Sequence, residues 1–368
     1  MYHFQNQSNP ISLWLQGGPG GSSLFGLFVE NGPYTLIDVD TAVLKNYTWL
    51  GSMSLIYFDN PVGTGFSFTE NDKGYATNEA DVARDLYNAL GQFFTLFSEY
   101  RNNDFYLTGE SYAGKYIPAI GSLLHAKKNE SKINLKGVAI GNGLIDPESM
   151  IDYSSFLYEI SLFNEDQARI GKKYEEAILD DIKNERYAEC LKKRYEYMGS
   201  NVQSYFKNVT GLNYFYNMRL SEQPKDQTFF NAYVTQPKAR KALHVGTKTF
   251  NSERQVEQHL EDDICRSSKS ELITLMENYK VLLYSGQLDI RVATPFTDSM
   301  LSRLKWKGSE EFMQSKRQIW KVDGQIDGYL KKSNKFYFMI IRNAGHILPY
   351  DQPKLAFHMI DQFINDKL

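Results

Sequence analysis

A serine hydroxyl is a weak nucleophile until a histidine takes its proton, and that histidine needs an acid to fix its tautomer and to stabilise the imidazolium. Ser111 sits in the run DFYLTGESYAG, where small flanking residues let the chain turn sharply from a strand into a helix and lift the hydroxyl above a sheet. The run departs from G-x-S-x-G, because Ala113 replaces the second glycine and Gly114 comes next. Alone it reads equally well as an ordinary glycine-rich turn. What separates the two readings is an acid and a base placed later in the chain. Asp289, in GQLDIRV, falls just beyond the apolar run YKVLLYSG, and His346, in NAGHILPYDQP, just beyond KFYFMIIRN. His3, His125, His244 and His259 all precede Asp289, and His358 lies inside the closing amphipathic segment, so His346 is the histidine on a loop that follows a strand. Asp298 and Asp323 are expected farther from a strand end than Asp289. Serine, acid and histidine in this order predict a nucleophile–acid–base triad.

A second glycine-rich run, GGPGGSS at 17–23, directly follows the strand-like ISLWLQ. Glycines there let backbone N–H groups face a substrate carbonyl, as an oxyanion hole requires. A phosphate loop is excluded because no Lys-Ser or Lys-Thr follows, and a dinucleotide loop because the spacing is not G-x-G-x-x-G.

These residues need a frame. The first half of the chain alternates apolar runs with amphipathic ones, the signature of βα units stacked into a mostly parallel sheet. Strands are expected at 11–16, 53–59, 104–109, 135–142, 279–286 and 335–343. A helix capped by Asn78 is expected from 78 to about Tyr100, with Val82, Leu86, Ala89, Phe93 and Phe97 on its inner face, and another directly after Ser111 despite Pro118. Pro353 opens a closing helix. Residues 148–230 are polar, charged and helical in pattern, as in EDQARIGKKYEEAILDDIKNERYAECLKKRYEYM. The expected architecture is an α/β-hydrolase fold, with a core of residues 1–147 and 231–368 and a helical cap inserted at 148–230.

The 41 basic and 44 acidic residues leave a formal charge of −3, too balanced to point to nucleic acid or another polyanion as partner. No run of 18 apolar residues is available to span a membrane, and the N-terminus lacks the pattern of a signal peptide. Cys190 and Cys265 leave one bridge or two free thiols equally open, and no CxxC metal or redox motif occurs, so no metal or cofactor is called for. Four N-x-S/T sequons begin at Asn6, Asn46, Asn129 and Asn208, weak support for a secreted glycoprotein.

Together LWLQGGPGGSS, FDNPVGTGFS, LTGESYAGKYIPAI and AGHILPYDQP resemble the serine carboxypeptidases (peptidase family S10), over residues 11–147 and 229–365. Gln16, where most of that family has Asn, and Gly21, where many have Cys, look most like its vitellogenic carboxypeptidase-like branch. The resemblance implies removal of one residue from a peptide C-terminus, with Ser111, Asp289 and His346 as triad and the N–H groups of Gly18 and Tyr112 as oxyanion hole. It also implies that Gln16, Gly17 and Glu110 hold the substrate's terminal carboxylate, with Glu30 paired to Glu110. Two nearby carboxylates cannot both ionise cheaply, so a Glu30–Glu110 pair would share a proton and bind peptides best at acidic pH. Family members usually carry a signal peptide and an N-terminal hairpin, whereas ISLWLQ begins here at position 11; the resemblance implies a truncated start and a secretory, lysosomal or extracellular location. The same scaffold also accommodates two other roles, transfer of the acyl group to an alcohol and a catalytically weak protective or storage function.

Overall fold

Apolar runs without alternation belong in strands covered on both faces. A computed structural model of the protein describes residues 8–200 and 202–368; His3 and the Asn6 sequon lie outside the described residues. Its strands are β1 (Ile11–Leu15), β2 (Tyr34–Leu36), β3 (Ala42–Leu44), β4 (Ser54–Tyr57), β5 (Phe105–Glu110), β6 (Leu135–Gly141), β7 (Lys280–Gly286), β8 (Gln318–Val322), β9 (Gln325–Ser333) and β10 (Phe336–Ile341). Every residue of β1, β4 and β5 is buried, as the unbroken apolar runs require. Eight of the strands form one sheet in the order β4-β1-β5-β6-β7-β10-β9-β8, in which β4 to β10 run parallel and β9 pairs antiparallel with both β10 and β8. Helices cover both faces, completing an α/β-hydrolase sheet.

All six expected strands are present, and four more are not among them. The β8–β9 hairpin carries its own signal, Asp323-Gly324, both with positive φ (51° and 82°), as a two-residue hairpin turn demands. Asp323 therefore lies directly at a strand end, contrary to expectation. Its carboxylate is instead occupied in an exposed ion pair with Lys354. The β2–β3 hairpin is only three residues a side, too short to show a period.

Helix α1 (Glu79–Leu96) starts where Asn78 accepts the Asp81 N–H at 3.0 Å, and buries Val82, Leu86, Leu90 and Phe93. It stops four residues short of the expected end; Phe97 lies beyond it and Tyr100 in a separate 3-10 turn. Helix α2 (Ala113–Ala126) begins two residues after Ser111 and carries Pro118 within it. Between β6 and β7 the described chain is helical, from Tyr153–Glu159 through Glu165–Lys183, Tyr187–Met198, Tyr205–Thr210 and Lys225–Thr235 to Lys269–Asn278, so position 230 falls within a helix. Cys190 and Cys265 form a disulfide that ties the Tyr187–Met198 helix to the end of Glu261–Ile264. Among the described residues no helix is long and apolar enough to cross a membrane.

Candidate active site

The ends of parallel strands from the middle of the sheet build the site: Gln16 follows β1, Ser111 follows β5, and, across β6, Asp289 follows β7 and His346 follows β10. Ser111 has φ +60°, a conformation that a residue with a Cβ adopts only when its surroundings hold it there. Here its N–H donates to the Gly141 carbonyl, and its own carbonyl accepts from the N–H groups of Gly114 and Leu144, each at 2.9 Å. The late glycine has a reason: a Cβ on Gly114 would sit 2.7 Å from the Leu144 carbonyl oxygen. The helix could not then fold back under the turn.

His346 and Asp289 are both buried, with Nδ1 2.7 Å from Oδ2. Asp289 is saturated with donors: Oδ2 also accepts from Asn142 Nδ2 at 2.6 Å, while Oδ1 accepts the N–H groups of Arg291 (2.7 Å) and Val292 (3.2 Å). Four donors fix this carboxylate in its orientation toward the ring. With Nδ1 bonded to Asp289, the buried Nε2 has no partner and is the nitrogen left to take a proton. The ring stacks on Tyr216 at 4.7 Å, and the His346 N–H donates to the Tyr216 carbonyl at 2.5 Å. Asn142 escaped the sequence reading. It sits at the end of β6 with φ +44°, donates to Asp289 and accepts the Gly286 N–H at 3.3 Å, tying the end of β6 to the end of β7 and the acid. Its signal is an Asn directly after a fully apolar strand, in GVAIGN.

Gly17 lies against the serine turn so closely that a Cβ would be 2.6 Å from both Ser111 Cβ and the Tyr112 nitrogen. That contact brings the 17–21 loop, including Gly18, beside the first N–H groups of the α2 turn, which have no acceptor within the helix. Beside them Glu30 and Glu110 are both buried. Gln16 Nε2 donates to Glu110 Oε1 at 2.8 Å, and Trp14 Nε1 donates to Gln16 Oε1 at 2.9 Å, which fixes the amide. The remaining Glu110 oxygen and both Glu30 oxygens are buried, and Glu30 lies within hydrogen-bonding reach of Glu110 and Gln16. Burial, the largest cause, raises both groups above the usual carboxyl range, and the charge of Glu30 raises Glu110 further.

The chain as a whole is similar to known proteins. A family model described as serine carboxypeptidase matches residues 2–366. The chain belongs to the serine carboxypeptidase family. Similar family members include "Probable serine carboxypeptidase CPVL" of Homo sapiens, 47% identical over 99% of this chain and 78% of that protein. The venom serine carboxypeptidase of Apis mellifera is 43% identical over 97% of this chain and 78% of its own length, and the vitellogenic carboxypeptidase of Aedes aegypti 39% identical over 96% and 76%. The crystal structure of Kex1(delta)p, a prohormone-processing carboxypeptidase from Saccharomyces cerevisiae, superimposes with TM-score 0.81 at 23% identity, covering 99% of this chain and 86% of that one, and shows the same fold. As a member of this family, the protein is a serine-type carboxypeptidase, a hydrolase acting on peptides.

Proposed function

We propose that Ser111 attacks the C-terminal peptide bond of a substrate while His346 Nε2 takes its proton, forming an acyl-enzyme and releasing the last residue. His346 gives that proton to the leaving amine, then draws one from water, and the hydroxide equivalent so formed releases the shortened peptide and restores Ser111. Asp289 holds the imidazolium, and the N–H groups of Gly18 and Tyr112 receive the charge that develops on the carbonyl oxygen. Gln16, Gly17, Glu30 and Glu110 recognise the terminal carboxylate, and residues 148–230 form a cap over the cleft.

The observation that carries this reading is the buried Glu30–Glu110–Gln16 group beside the serine turn. A carboxyl pair kept protonated by burial can donate to a carboxylate ligand, and an ionised pair would repel it. Because both titrations are raised, the donating form prevails at low pH and is lost as pH rises. Activity on free-carboxylate peptides is therefore highest in acid, which suits a lysosomal or other acidic secretory compartment. The exposed sequons at Asn46, Asn129 and Asn208 fit a glycoprotein of that pathway. Mass spectrometry of peptides incubated with the protein at roughly pH 4 to 7, across the carboxyl titration range, tests the assignment. Stepwise loss of C-terminal residues is expected; internal cuts would overturn it.

A further inference from the structure

Glu30 ends the short helical turn Gly26–Glu30, and a cation is seated on the last carbonyls of that turn. Lys45, directly after β3, donates from Nζ to the carbonyl oxygens of Val29 at 2.7 Å and Glu30 at 2.6 Å. Its own N–H closes the β2–β3 hairpin on the Pro33 carbonyl at 2.8 Å. One side chain thus latches an outer hairpin onto the turn that carries half of the carboxyl pair. The hairpin otherwise presents apolar side chains to solvent, Ile37 and Leu44 among them.

We propose that Lys45 is a positioning residue of the carboxylate subsite: it fixes the Glu30 turn against Glu110 and places a positive charge behind the pair, so that it sets the upper pH limit of peptide-carboxylate recognition. This rests on the assignment of Glu30 and Glu110 to that subsite. Glu30 is faced by Glu110 from the end of β5, Gln16 from the end of β1, Lys45 from the hairpin and His346 from the loop after β10. Tyr57 of β4 and Tyr284 of β7 face it from the sheet, and Asp289 acts on Glu110. Asp226, on the helix Lys225–Thr235, acts on Lys45. The two tyrosines are pushed above their usual range by burial and stay neutral, and the opposing influence of Glu110 is already part of the pair. Lys45 then favours ionised Glu30, as does His346 when protonated, and of the two only Lys45 can be removed without touching the proposed triad.

The sign follows from Coulomb attraction. An ammonium ion near Glu30 stabilises its carboxylate and opposes the upward push of burial. Burial lowers the Lys45 ammonium itself, to about 8, so it is still largely charged where Glu30, raised to about 7, gives up its proton. Without the charge, the pair keeps its proton to higher pH, and the limb on which free-carboxylate turnover declines moves upward.

The test compares kcat/KM against pH for a peptide with a free C-terminus and for the matching C-terminal amide or ester, in wild type, Lys45→Gln, Lys45→Met and Lys45→Arg. Gln keeps a donor without the charge, and Arg keeps the charge. The expected result is an upward shift of about half to one pH unit in the declining limb for Lys45→Gln, for the free-carboxylate peptide only, with Lys45→Arg near wild type. Lys45→Met should add a several-fold rise in KM, because both carbonyl bonds are lost and the turn loosens. Folded Lys45→Gln with an unmoved limb would overturn the role of Lys45. If wild type instead shows the same pH profile for free and blocked C-termini, the carboxylate subsite itself is misassigned, so the two failures are distinguishable. Should the variants turn over too slowly, binding of a free amino-acid product measured by calorimetry against pH reads the same shift.

Discussion

Asn142 shows how much of a triad lies outside its three residues. Its amide supplies one of the four hydrogen bonds that hold Asp289 and caps the Gly286 N–H. Asn142→Ala would leave a buried N–H unmet and the acid short of one donor, an effect of about 1–3 kcal/mol. We expect kcat/KM to fall roughly 10- to 100-fold with the fold intact, measured by steady-state kinetics beside circular dichroism. Ser111→Ala should lose fluorophosphonate labelling and turnover altogether; a labelled variant would place the nucleophile elsewhere. Ser111, Asp289 and His346 could be proposed as a triad from the sequence because triad chemistry dictates their order and each follows an apolar run. Asn142 and Trp14 could not be, because an amide that orients a carboxylate and an indole that orients an amide have no spacing rule. Their roles exist only once distant strands lie side by side, 147 positions apart for Asn142 and Asp289 and 94 for the Gln16 amide and Glu110.

At the level of elements, apolar runs located the six inner strands of the site without difficulty, since burial on both faces removes alternation and leaves continuous Val, Ile, Leu and Phe. The outer hairpin β8–β9 is amphipathic and was missed, although its Asp-Gly turn was in view. Close packing between elements is sharper than any pattern. Gly17→Ala would drive a methyl group to within 2.6 Å of the serine turn, so the β1 loop and the α2 turn must separate. We expect at least a hundredfold loss of activity, a cost of about 3 kcal/mol at the transition state, with a folded protein by circular dichroism. Lys115 makes the same point for stability. It lies wholly buried on α2, with its ammonium on the Asp263 carbonyl and 3.0 Å from the Asp263 carboxylate. Lys115→Met strands that charge and should destabilise the fold by about 3–5 kcal/mol in denaturant unfolding; a change below 1 kcal/mol would show that the pair contributes little.

For the whole molecule, buried carboxyls set the pH at which the fold is strongest. Burial raises Glu79 to about 8, and it raises Glu30 and Glu110 as well. Below about 4.5 the folded and unfolded chains hold these protons alike. As pH rises the unfolded chain ionises first and gains solvation, so the contribution to stability declines until pH passes the folded values. Asp81 and Asp181, lowered by their ion-pair and hydrogen-bond partners, act in the opposite sense only below about 4. Calorimetry should therefore find a higher Tm near pH 5 than near pH 8, with Glu79→Gln flattening the slope; a Tm that climbs toward pH 8 would contradict the assignment.

The backbone beside Tyr216 has a wider consequence. Phe215 accepts the Ile290 N–H at 3.2 Å, Tyr216 accepts that of His346, and Met218 donates to Leu288 at 2.8 Å, so one strip from the region between β6 and β7 holds the acid loop and the base loop together. A segment that embraces both catalytic loops cannot drift as freely in evolution as the helices around it. Chimeras that exchange parts of the region between β6 and β7 among relatives should fail if they cut through 215–218 and succeed if the graft ends on either side of it.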